Sequence, residues 1–281
     1  MRAFVSVDLE GMPYIVSVHH LTVGKALYNE ARKIATRITK VVVEELHEEG
    51  FDEIVVADSH GPMVNVLPEE MPEYVELVRG FPRPTSMVVG VESSDAALFL
   101  GYHSRAGVAR STFDHTYSGV ISYVKVNGVE ASEFLLNAYV AGHYGVPVIL
   151  VAGDERLLEE VKERAPWAVR VPLKSSYTRY AARSPSFTKL EKALREGVKT
   201  AVSKLRNGEV RPLRVGRPVE VEVCFVTSGY ADVAELAPGV RRLDGRRVTF
   251  QTDDIVSAYK LFELLVLASA GLAKVVSGLN T

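Results

Sequence analysis

Short apolar, β-branched runs alternate with longer amphipathic segments through the first half of the chain, the pattern of a mostly parallel sheet covered by helices. Residues 2–7 predict a strand followed by a loop to about Gly24. The 25–49 segment has helical spacing at Ala31, Ile34, Ala35, Ile38, Val41, Val42 and Leu46, with Gly50 as its stop. Further strands are predicted at 53–57, 96–100 and 147–152, with a weaker one at 74–78. Residues 120–126 followed by Asn127-Gly128 predict a hairpin, because Asn-Gly readily takes the positive φ of a tight turn. Helices are expected at 132–143 and 155–164.

Beyond about residue 175 the texture changes. A charged helix over 186–206, a linker over 208–218, a strand with polar alternation over 219–227, an antiparallel piece at 247–251 and a long apolar helix over 254–270 complete the chain. The expected fold class is therefore α/β, a mostly parallel sheet covered by helices, with a smaller α+β subdomain at the C-terminal end. The expected division is a catalytic region over 1–174 and a supporting or oligomerisation subdomain over 175–281. No low-complexity tract and no repeat of 20–50 residues appears, which excludes solenoids.

Composition changes this picture little: 47% hydrophobic and 24% charged residues belong to an ordinary globular protein of 281 residues. A net charge of -2 gives no global field to recruit nucleic acid or an anionic membrane, so a small, neutral or zwitterionic substrate is expected. The N-terminal run lacks the apolar core of a signal peptide, and no uninterrupted apolar window matches a membrane span. The single cysteine, Cys224, is read as a buried structural thiol in a reducing compartment. A cytoplasmic location is the expectation.

All seven histidines lie before residue 150, and that asymmetry directs the search for chemistry. Asp8 and Glu10 end the first strand at i and i+2, and strand alternation puts both on one face, where they are solvated, paired with a basic residue or bound to a metal. The second strand runs into Asp58-Ser59-His60 and the 96–100 strand into Gly101-Tyr102-His103. Parallel sheets bring such carboxyl ends together in one crevice. Each residue alone has an ordinary structural reading. Jointly, carboxylate oxygens and imidazole nitrogens suit zinc, manganese, iron or cobalt in a catalytic rather than a cysteine-based structural site. Glu133 falls in the first turn of a helix, where the helix dipole alone accounts for it. His115, in a polar segment before the hairpin, is a surface residue, a ligand or an acid-base group.

Read in order, Asp8-x-Glu10-Gly11, Asp58-Ser59-His60, Gly101-Tyr102-His103, Asp114-His115-Thr116 and Glu133 with Asn137-Ala138-Tyr139 resemble the DppA-type D-aminopeptidases over essentially the whole length. The resemblance implies two Zn2+ ions per subunit held by Asp8, Glu10, His60, His103 and Glu133, with Asp8 bridging and His115 catalytic. Mn, Co or Fe are alternatives for the metal. It also implies hydrolysis of short peptides with an N-terminal D-residue and assembly into a decameric ring of two pentamers. Asp58 is a candidate anchor for the substrate amino group or a partner orienting a ligating histidine. Lys174 and Arg179 are candidates for a substrate carboxylate, for solvent or for a neighbouring subunit. Two departures from the family pattern, the bulky Met12-Pro13-Tyr14-Ile15-Val16 loop and Asp114, border the expected pocket. Another amide substrate, of γ-D-glutamyl or lactam type, and a ring-forming scaffold with a structural metal are the competing readings.

Overall fold

The computed structural model describes residues 1–279. Its elements run β1 (Arg2–Val7), α1 (Val18–Leu21), α2 (Tyr28–Glu48), β2 (Glu53–Asp58), β3 (Val75–Val78), β4 (Ala96–Tyr102), β5 (Ile121–Val126), β6 (Val129–Glu130) and α3 (Glu133–His143). They continue as β7 (Val148–Asp154), α4 (Glu155–Arg164), β8 (Val169–Thr178), β9 (Ala181–Arg183), α5 (Phe187–Arg206), β10 (Val219–Phe225), α6 (Ser228–Ala234), β11 (Arg241–Arg242), β12 (Arg247–Thr252) and α7 (Ile255–Leu279).

The first sheet has the order β3-β2-β1-β4-β7-β8-β9, parallel throughout except for the β8–β9 hairpin at its edge. From β1 the chain first builds outward through β2 and β3, then returns to the other side of β1 and builds outward through β4, β7 and β8. The direction of winding thus reverses between β1 and β4. A crevice opens at such a point, beyond the carboxyl ends of the strands.

Alternation along the strands makes two cores. Ala3, Val5 and Val7 of β1 face the apolar stripes of α2 and α5, including Ile34, Ile38, Leu190 and Leu194. Phe4, with Val55, Ala97, Phe99 and Val151, faces the opposite layer, where α3, α4, α7 and a second sheet pack. That second sheet is antiparallel, in the order β11-β12-β10-β5-β6. Asn127 and Gly128 take φ of 47° and 79° at the β5–β6 turn, as the hairpin reading expects.

The second sheet draws strands from both sides of residue 174, because β10, with Val219, Val221 and Val223 inward, pairs with the β5 edge. The helix α5, from the C-terminal half, packs on α2, β7 and β8 of the first sheet. The long β8 was not among the expected strands; its tail leaves the sheet core for a hairpin, so its burial alternates only in part. Helix α7 also exceeds its expected end. An 18-residue window within Ile255–Gly278 has a mean hydropathy of 1.7, enough by length and composition to cross a bilayer, with 28% of that window buried. Its first turns are core, with Ile255, Ala258, Tyr259, Phe262 and Leu265 buried.

Candidate metal centre

The carboxyl ends of β1, β2 and β4 deliver Asp8, His60 and His103 to the crevice at the winding reversal, and the first turn of α3 faces them with Glu133. β1 ends at Val7, so Glu10 is placed by a turn closed by Met12 N–H on Leu9 O at 2.9 Å, not by strand alternation. The two carboxylates nevertheless converge. Glu10 Oε2 is 2.8 Å and Asp8 Oδ1 3.4 Å from His60 Nδ1. His103 Nε2 is 3.5 Å from both Asp8 Oδ2 and Glu133 Oε1, and His115 Nε2 is 3.6 Å from Glu133 Oε1. The rings of His103 and His115 stack with centroids 4.4 Å apart. All but His115 are buried, so the site opens to solvent beside His115, whose side chain is 25% exposed.

Each of the three histidines commits one ring nitrogen to a backbone carbonyl: His60 Nε2 to Leu21 O at 2.9 Å, His103 Nδ1 to Ser104 O at 2.9 Å and His115 Nδ1 to Phe113 O at 2.8 Å. A carbonyl only accepts, so those nitrogens carry protons. In the neutral ring the other nitrogen then presents a lone pair, and in each case it faces carboxylate oxygens. Lone pairs against carboxylates repel unless a cation or a proton lies between them. The backbone carbonyls thus fix the tautomer in the manner of metal-ligating histidines.

The electrostatics carry the same message. Burial and the neighbouring Glu10 push the Asp8 carboxyl well above its ordinary range. Burial opposes charge on His103, yet Glu133, Asp8 and Glu10 outweigh it and hold the imidazole up at about 10. For Glu10 burial is likewise overridden, by His60, and the carboxyl is held well below its usual range. Without a metal, imidazole protons are the site's own counter-charges to three buried carboxylates. Asp8 Oδ2 and His103 Nε2 are buried without a hydrogen-bond partner. Asp8, Glu10 and His103 form one group with ligand atoms within 4.8 Å of one another; His103, His115 and Glu133 form a second that shares His103. The donor set fits a divalent transition metal.

Not every expected residue faces this cluster. Asp58 is buried at the end of β2, and its carboxylate accepts from Asn65 N, Asn65 Nδ2 and Val66 N, which ties down the loop after His60. Lys174 is 1% exposed and donates to the carbonyls of Glu10 and Ile15, gripping the loop that carries Glu10. Burial pushes its amine down to about 7, against the pull of Asp154, Glu10 and Asp8. Arg179 donates to the carbonyl and carboxylate of Asp114, beside His115. Sequence reasoning had no access to the carbonyls of Leu21, Ser104 and Phe113, nor to Tyr117 N–H, which donates to Glu133 Oε1 at 2.7 Å. These are backbone groups, and side-chain motifs leave no trace of them.

Residues 1–264 match the family model for the peptidase M55 D-aminopeptidases. The chain belongs to this D-aminopeptidase family. A D-aminopeptidase from Bacillus subtilis (strain 168) is 34% identical over 263 residues, covering 92% of this chain and 94% of that protein. The solved structure of a Zn-dependent D-aminopeptidase from Bacillus subtilis, DppA, described as a self-compartmentalizing protease, superposes with a TM-score of 0.92 at 31% identity. It covers 96% of this chain and 98% of that one. Membership of the M55 D-aminopeptidases makes the chain an aminopeptidase and the α/β fold theirs. Within that family's frame, the six converging residues are the place to look for its chemistry.

Proposed function

We propose that this chain is a zinc-dependent aminopeptidase that hydrolyses the first amide bond of short peptides bearing an N-terminal D-residue. Asp8, Glu10, His60, His103 and Glu133 would hold two zinc ions per subunit. One observation carries the reading: three histidines, each locked by a backbone carbonyl, turn their remaining nitrogens toward buried carboxylates. Two donor groups lie side by side, one around Asp8 and Glu10 and one around Glu133, which supports room for two metals. When bound, zinc supplies Lewis acidity, lowering the pKa of water toward neutrality and polarising the scissile carbonyl.

The chain's own residues do the rest. His115 Nε2, left basic by the Nδ1 bond to Phe113 O, takes the proton of the attacking water and returns it to the leaving amine. Glu133, 3.6 Å away, stabilises the imidazolium between these two transfers. The partly exposed position of His115 puts this transfer at the mouth of the site, where a peptide can reach it.

We also propose assembly into a closed, decameric ring in the cytoplasm. The self-compartmentalizing relative supports the ring, as do exposed apolar residues along α7, among them Leu264, Leu267, Val275 and Val276. The buried free thiol of Cys224 suits a reducing compartment. Incubating the zinc-loaded protein with D-Ala-D-Ala and with L-Ala-L-Ala tests the activity directly. Release of alanine from the D-isomer is expected; turnover of neither isomer by a fully metallated protein, or of the L-isomer alone, overturns the assignment.

A further inference from the structure

Beneath the centre runs a continuous chain of hydrogen bonds that no motif announced. Tyr117 donates its hydroxyl to Tyr259 Oη, and Tyr259 donates to Asn137 Oδ1 at 2.8 Å. Asn137 Nδ2 donates to Tyr102 Oη at 2.9 Å, and Tyr102 Oη lies 2.7 Å from Ser6 Oγ. Ser6 Oγ lies 2.8 Å from Ser59 Oγ, whose one proton has the carbonyls of Ala57 and Met87 in reach at 3.0 and 3.1 Å. Each hydroxyl has one proton to give, so an Asn137 that donates to Tyr102 leaves Tyr102 free to donate onward to Ser6. Every donor finds an acceptor.

The members are not scattered. Ser6 precedes Asp8 by two residues, Ser59 precedes His60, and Tyr102 precedes His103. Asn137 lies one helical turn beyond Glu133 on α3, and Tyr117 follows His115 by two residues. Tyr117 also gives its backbone N–H to Glu133 and sits at a φ of 67°, a left-handed conformation that a tyrosine holds only where its surroundings enforce it. Every segment that carries a ligand or His115 is therefore tied to the others through one network. Tyr259 alone comes from the C-terminal half, on α7. Ser6, Ser59, Tyr102, Asn137 and Tyr259 are all buried. A fully satisfied network in a low-dielectric interior is stiff, and removal of one member leaves its neighbours unpaired.

We infer that this network fixes the metal ligands relative to one another, and that Tyr259 is a positioning residue for a centre whose ligands all lie in the first half of the chain. The inference rests on the metal reading above. It is tested in the full chain with Tyr259→Phe and Asn137→Leu, measuring zinc affinity by competition with a chromophoric chelator at a temperature well below unfolding. Leu265→Ala, one to two turns further along α7 and buried at 1% exposure, is the control: it removes packing but no network group. The expected result is zinc binding weakened by roughly 10–100-fold in Tyr259→Phe and Asn137→Leu, the range seen when groups supporting ligands are removed. Leu265→Ala is expected to lose thermal stability yet bind zinc as the wild type does. Unchanged affinity in Tyr259→Phe, or an equal loss in Leu265→Ala, overturns the positioning role. A wild-type protein that binds no zinc overturns the metal reading itself, a separate and distinguishable result.

Discussion

Substituting Gly101 by alanine tests how tightly the ends of β1 and β4 are held together. Gly101 has a φ of 73°, and a Cβ placed on it would stand 2.0 Å from Asp8 O and 2.9 Å from Met12 Cε. The Met12 side chain can move; the Asp8 carbonyl cannot, because Asp8 N–H is bonded to Leu100 O at 2.8 Å and Gly11 N–H to Gly101 O at 2.7 Å. Ordinary contact needs more than 3.4 Å, so backbone must yield by over an ångström at the residue that carries Asp8. The left-handed conformation costs alanine about 1–2 kcal/mol, and overpacking adds about 1–3 kcal/mol. At about 2–4 °C per kcal/mol for a chain of this size, Tm should fall by roughly 5–20 °C. Gly107 separates the two contributions, since it has a φ of 85° with open space around its Cβ position. Gly107→Ala should lose only the conformational part, about 1–2 kcal/mol, and keep its zinc affinity. Calorimetric unfolding and zinc titration of both variants are the assay. If Gly101→Ala unfolds and binds zinc like Gly107→Ala, the close approach of these strand ends does not position Asp8.

Further outcomes follow from other sites. Glu263 on α7 is buried, with Oε1 unpartnered, and burial raises its pKa despite Ser86 and Arg83. A carboxyl raised in the folded state takes up a proton that the unfolded chain has released, so this group lowers stability as pH rises from about 4.3 through its folded value. Glu263→Gln should therefore stabilise at pH 7, by about 1–3 kcal/mol, and should be neutral near pH 4; stabilisation that does not vary with pH would contradict this. Lys174→Met removes both bonds that hold the Glu10 loop and should destabilise by about 1.5–3 kcal/mol with weaker zinc binding, read from unfolding and metal titration; a variant with native metal affinity shows the grip to be dispensable. His115→Ala should retain zinc while kcat falls by about 10²–10⁴-fold, and the account fails if turnover persists at the wild-type rate.

Much of the fold was legible because burial enforces periodicity. The strands around Val5, Val55 and Leu98 and the stripe on α2 read directly as core. β8 was missed because Arg170, Pro172, Lys174 and Ser176 fill the face opposite Val169, Val171 and Leu173 with polar or exposed groups that read as loop; Lys174 grips a loop and Ser176 reaches Asp154 and Thr112. The division at residue 174 came from a change of texture, but pairing of β5 with β10 depends on long-range register that no local pattern encodes. In the site, Asp8, Glu10, His60 and His103 stood out because carboxylates and histidines recur after successive strands, whereas Glu133 in a helix turn and His115 in a loop were singled out by the family resemblance. The roles of Asp58 and Lys174 were less legible. A buried carboxylate or ammonium satisfied by backbone groups looks, in sequence, the same as one facing a substrate.

The central claim is that buried carboxylates and carbonyl-locked histidines form a two-metal cradle. Zinc stoichiometry by elemental analysis, combined with anomalous diffraction at the zinc edge, tests it most directly. The account predicts two zinc ions per chain, with His60 ligating through Nδ1 and His103 through Nε2, the nitrogens opposite their carbonyl bonds. Fewer than two zinc ions in the fully loaded protein, or ligation through the nitrogens that now bond Leu21 O and Ser104 O, would contradict it.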